Sequence, residues 1–124
     1  MKASDVVRFP FVGPSASLEK IKNQRDQVKR LIRAEIEALR FIRERKEETV
    51  ALISKIFRLD EAVAQKSYDF SVSFFSKDAR IDPEEVKRLI ALEKEAGDIS
   101  GGIPVSRVAD LALVDEVQRE QAGR

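Results

Sequence analysis

The side chains able to do chemistry in this sequence are carboxylates, ammonium groups and guanidinium groups, because it contains no His and no Cys. That removes imidazole acid/base catalysis, thiol nucleophiles, disulfides and the usual zinc ligands together. What remains is a question of spacing. Glu84 and Glu85 are adjacent acids, but neighbours at i and i+1 point in different directions on a helix and do not make a catalytic pair. Asp78, Arg80 and Asp82 alternate, yet the run lacks the Gly and the terminal bidentate Glu of a calcium loop. Gly101-Gly102 lacks the Lys-Ser/Thr of a phosphate loop and reads as a plain turn. No cofactor, no metal and no enzymatic activity is expected.

Two further features bear on ligands. Glu35 lies seven residues after Val28 and four before Leu39, so it projects near the middle of an otherwise apolar helix face. It either sits where the helix emerges to solvent, pairs with a tertiary cation, or faces a ligand. The second feature is charge. The net charge is only +1, but residues 20 to 46 hold ten basic and four acidic side chains, while residues 47 to 124 hold eleven and sixteen. The stretch KIKNQRDQVKRLIR could lie along nucleic acid or an anionic membrane. It lacks the interleaved aromatics that stack on bases and the Trp or Phe of an inserting face, so a solvated helix face is expected, with no nucleic acid and no membrane insertion.

The elements that must position these residues are mostly helical. At 124 residues and 43% hydrophobic content the chain can form one compact unit. From about Asn23 to Arg45, Val28, Leu31, Ile32, Ile36, Ala38, Leu39 and Ile42 fall within about 160° of arc, with Lys29, Arg33, Glu37 and Arg40 opposite. A second helix runs from Glu47 or Glu48 to Phe57, with Val50, Ile53, Ile56 and Phe57 on one face. Leu59-Asp60 is a loop and cap. DEAVAQKSYDFSVSFF gives a third helix with Val63, Ser67, Phe70 and Phe74 in register, although FSVSFF also alternates at strand period.

The strongest local signal is DPEEV: Asp82 as N-cap, Pro83 at the first helical position, and Glu85 three residues after the cap. This fourth helix should end at Gly97 in the left-handed conformation. Pro104 to Val108 is expected to be extended or irregular, and ADLALVDEVQRE to form a short terminal helix. The fold class is therefore mainly α, about five helices with one N-terminal strand. That strand is RFPFVGP, whose Phe and Val suit a pleated surface and whose Gly13-Pro14 ends it. It has no partner strand in the chain.

The ordered set of segments resembles the carboxy-terminal portion of ABC transporter solute-binding proteins of the nitrate, sulfonate, taurine and thiamine-precursor type. The segments are FPFVG, VKRLIRAEIEALRFI, KEETVALISK, LDEAVAQKSY, DARIDPEEVKRLI and IPVSRVADL, covering about Val7 to Val117. The resemblance implies a two-lobed α/β parent that captures a small anionic or heterocyclic solute and delivers it to an ABC permease. Residues 1–17 would be the crossing strand and turn, and 18–124 the helical carboxy-terminal segment. Phe9, Phe11 and Gly13 would lie near the ligand cleft. No signal peptide is legible, so the chain as written is expected in the cytoplasm, while the parent family is periplasmic or extracytoplasmic. Lacking most of the cleft, it should not bind solute alone, and its uncovered apolar surface should favour a homo-oligomer. The alternative is an independent all-helical protein-interaction module.

Overall fold

The computed structural model describes residues 12–123. These residues are mainly α-helical: α1 (Leu18–Asn23), α2 (Arg25–Glu44), α3 (Lys46–Phe57), α4 (Glu61–Ser71), α5 (Pro83–Ala96), α6 (Val105–Val108) and α7 (Ala112–Ala122). A 3-10 turn over Val72–Phe74 continues α4. There is no strand among the described residues, and the expected strand falls largely outside them. The chain divides into two units, one made by the described residues up to Arg30 together with those from Arg80 on, the other by Leu31–Ala79.

Local chemistry explains most helix ends. Asp82 Oδ1 accepts a hydrogen bond from the Glu84 N–H at 2.9 Å, and Pro83 takes the first helical position of α5, where a missing N–H costs nothing. At the other end Gly97 adopts φ +84°, and the Gly97 and Asp98 N–H groups close onto the carbonyls of Lys94 and Glu93. At the end of α3 Arg58 takes the left-handed conformation without being Gly, at φ 53°. There the Leu59 N–H bonds the Ser54 carbonyl, and Ser54 Oγ donates to the Leu59 carbonyl at 2.6 Å.

Four expectations need correction. The long helix is preceded by a separate one: Ser17 caps α1 by accepting from the Lys20 N–H, and Gln24 breaks the run at φ −133°. Pro104 to Val108 is not extended, since Val105–Val108 closes one helical turn. Asp60 stands at the N-cap of α4, but its side chain makes no capping bond. The apolar arc of α2 is narrower than its spacing implies, because Val28, Ile32, Ile36 and Leu39 are buried while Leu31 and Ala38 are exposed.

In Leu31–Ala79, α3 packs on α4 around Val50, Ala64 and Tyr68, with Ile42, Ile53 and Val72 against them. Ala64 is fully buried, and its side chain is only a methyl group, so α4 can lie close on α3 there. The other unit buries Val28, Val86, Leu113 and Val117, and its α5 packs against α6.

Candidate functional site

Of the three residues expected near a cleft, Phe9 and Phe11 lie outside the described residues. Gly13 is exposed, with no atom within 4 Å of where a Cβ would stand, so nothing in its surroundings requires Gly. The other motifs resolve into structural roles. Asp82 caps α5, Asp78 Oδ1 accepts from Ser76 Oγ at 3.3 Å, and Arg80 forms an ion pair with Asp115 of α7. Glu84 pairs with Lys87 one turn on. Among the described residues no three acids gather as a metal site would need, and no helix is long and apolar enough to cross a membrane.

Glu35 is half-buried on α2, and loss of hydration raises its carboxyl pKa above the ordinary 4.5. Of the alternatives that its place on the helix left open, pairing with a cation is not seen among the described residues, and desolvation is the cause of its shift. It is a carboxylate held at the edge of an apolar stripe.

The basic stretch becomes a structural cluster. Lys29, expected on the solvent side of its helix, is buried. Its Nζ donates to Glu116 Oε1 at 2.9 Å and also to Glu120, while Arg25 pairs with the second oxygen of Glu116. These acids lie one turn apart on α7, so both face the same cation. The hydrogen bonds that Lys29 donates to Glu120 and then Glu116 raise its pKa, and those that Glu116 accepts from Lys29 and then Arg25 lower the Glu116 pKa. The charge asymmetry seen in the sequence is thus partly cancelled by pairing the start of α2 with α7. Beside the α1–α2 break an open groove is lined by Lys22, Arg25, Asp26 and Arg30. Its walls carry both signs of charge.

The most informative surface is apolar. On α4 the buried face is Ala64 and Tyr68, whereas Val63, Ser67 and Phe70, with Phe74 of the following 3-10 turn, are exposed, Phe70 at 57% and Phe74 at 45%. Phe70 and Phe74 meet edge to face at a centroid distance of 5.3 Å. On α3 Val50 is buried, but Ile56 and Phe57 are each 67% exposed. Beside the buried Val50, Ala64 and Tyr68, several large apolar side chains therefore keep about half or more of their surface exposed. The segment after the aromatic turn is fixed, since Arg43 Nη2 donates to the carbonyls of Phe75 at 2.5 Å and Ser76 at 2.7 Å.

No protein-family model, no curated protein and no solved structure matches the chain.

Proposed function

We propose that this chain works by docking its apolar helix faces on protein rather than by chemistry, as the helical carboxy-terminal part of an ABC-type solute-binding protein of the nitrate, sulfonate, taurine or thiamine-precursor class. The observation that carries the docking reading is the exposed set of Val63 and Phe70 on α4 and Phe74 in the following 3-10 turn, together with Ile56 and Phe57 on α3. Apolar residues repeating on one helix face are suited to burial, and here Val63, Phe70 and Phe74 keep about half of their surface exposed. The family reading rests on the resemblance of the ordered segments, and the helical ones among them coincide with helices, as they would in any helical chain. VKRLIRAEIEALRFI falls within α2, KEETVALISK within α3, most of LDEAVAQKSY within α4, and DPEEVKRLI is the cap and first turns of α5.

An independent interaction module is favoured by one observation. Val50, Ala64 and Tyr68 close a core inside Leu31–Ala79, so these helices are held together without help from α/β lobes.

Titration of the purified chain with nitrate, alkanesulfonates and pyrimidines should give no saturable heat. A micromolar signal would overturn the docking reading and direct mutagenesis to Phe9, Phe11 and Gly13. To separate the two forms of docking, the chain can be co-expressed with the two lobes of a sulfonate-type binding protein shorn of its own terminal helices. Recovery of a solute-binding complex supports the family reading; a chain left unbound favours the module.

A further inference from the structure

We propose that α7 is an acid-operated latch: protonation of Glu116 and Glu120 leaves the Lys29 ammonium buried without a counter-charge, and α7 then lifts from the start of α2 while the helices of Leu31–Ala79 stay folded. α7 belongs to the unit formed by the described residues up to Arg30 and those from Arg80 on, and the latch does not depend on the docking reading above. The helix carries three acids, and each is paired with a cation from elsewhere in that unit: Asp115 with Arg80, Glu116 with Arg25 and Lys29, and Glu120 with Lys29. Arg25 and Lys29 lie four residues apart on α2, as Glu116 and Glu120 do on α7, so two short stripes of opposite charge meet.

Burial makes the cluster lopsided. Lys29 is the only charged side chain buried among the described residues. Its side chain is 9% exposed, against 33% for Glu116 and 37% for Glu120, so the acids keep access to water and protons while the ammonium does not. A buried ion pair is close to neutral against apolar packing, but removing one partner leaves a charge out of water with nothing to compensate it, which is the costly outcome. In acid Lys29 cannot shed its proton, so it recovers hydration only if the helix that covers it leaves. Leu113 and Val117, both buried in the docked state, are bared with it. Leu31–Ala79 holds no charge of this kind, since its pair between helices, Lys46 with Asp69, is about half exposed at both ends.

The pH window follows from the same contacts. Lys29 and then Arg25 hold the Glu116 pKa below its ordinary 4.5, so its contribution is present above that value and is lost as pH falls through the depressed native one. Glu120 and then Glu116 raise Lys29 from 10.5, so its contribution is present below 10.5 and is lost only as pH rises through the raised value. The latch is therefore shut across the neutral range and opens in acid.

Amide hydrogen exchange read by mass spectrometry on the full chain tests this, with far-UV circular dichroism confirming that each variant keeps its helices. At neutral pH the double substitution Glu116→Gln with Glu120→Gln imitates the protonated state without the change in intrinsic exchange that acid brings. It should speed exchange over Ala112–Ala122 by at least about 10-fold and leave α3 and α4 as they are. Adding Lys29→Met to that pair is the decisive step. It removes the remaining donor, so a cluster that only contributes bonds would loosen further, whereas a latch opened by an uncompensated ammonium must close again, to within about 3-fold of native exchange. In the native chain α7 should lose protection below about pH 4.5, after correction for intrinsic rates, before α3 and α4 lose theirs. Unchanged exchange over α7 in the double variant overturns the proposal. So does equal loosening of α3 and α4, failure of Lys29→Met to restore protection, or loss of all three helices together in acid.

Discussion

Removing one oxygen from Tyr68 tests how α2, α3 and α4 are held in one unit. The Tyr68 hydroxyl donates to the Ile42 carbonyl at 2.7 Å. Ile42 lies in the last turn of α2, which ends at Glu44, so its carbonyl is among those left without a partner inside the helix. Tyr68→Phe deletes the bond and keeps the ring, including its contact with Lys46, whose Nζ stands 5.6 Å from the ring centroid. A net hydrogen bond is worth about 1 kcal/mol, and a partly buried carbonyl left unpaired adds a little, so the expected loss is about 1 to 1.5 kcal/mol. That corresponds to a fall in Tm of about 5 °C for a domain of this size. Urea and thermal melts followed by far-UV circular dichroism measure it. Tyr68 is the one Tyr in a chain without Trp, so native fluorescence reports on this site alone and should melt together with the helical signal. Tyr68→Leu, which also disturbs the packing on Val50 and Ala64, should cost about 2 to 3 kcal/mol. If Tyr68→Phe changes stability by less than about 0.3 kcal/mol, the hydroxyl does not secure the end of α2 and the reasoning fails.

Asp82→Ala should cost about 1 kcal/mol, the usual effect of removing a capping side chain, measured in urea. Glu35→Gln should raise Tm at neutral pH. Burial raises the native carboxyl pKa above 4.5, so the charged form opposes folding as pH rises through that range, and the advantage of Gln should vanish in acid. Glu116→Gln should act with the opposite sign. Its native pKa is lowered by Lys29 and then Arg25, so it contributes stability above pH 4.5 that is lost as pH falls through the depressed native value. The variant should have a lower Tm at neutral pH and a flatter acid limb, read from melts at a series of pH values.

What the sequence made legible was what neighbouring residues decide. The start of α5 needs only Asp82 and Pro83, and its end only Gly97, so both were readable from spacing and confirmed in place. The helical reading of FSVSFF over the strand reading also held, through the end of α4 and the following 3-10 turn. The break at Gln24 was not readable, since neither Gly nor Pro marks it and the helical pattern runs across it. Burial of Lys29 was hidden for a different reason. Its partners Glu116 and Glu120 are 87 and 91 residues away, and periodicity within one helix carries no information about them.

The α4 face shows where periodicity stops being informative. A repeat at Val63, Phe70 and Phe74 identifies residues suited to burial, but it does not say that the same chain supplies the cover. The competing face, Ala64 and Tyr68, carries a weaker apolar signal and still wins the contact with α3. Ala64 lets the two backbones approach, and Tyr68 supplies both a ring for the core and a hydroxyl for Ile42. Turning α4 to bury Phe70 and Phe74 instead would gain aromatic area. It would also strand the Ile42 carbonyl, separate Asp69 from Lys46, and force two large rings into the space that Ala64 occupies. The local bonds therefore fix which face of α4 points toward α3, and Val63 and Phe70 stay about half exposed on its other side.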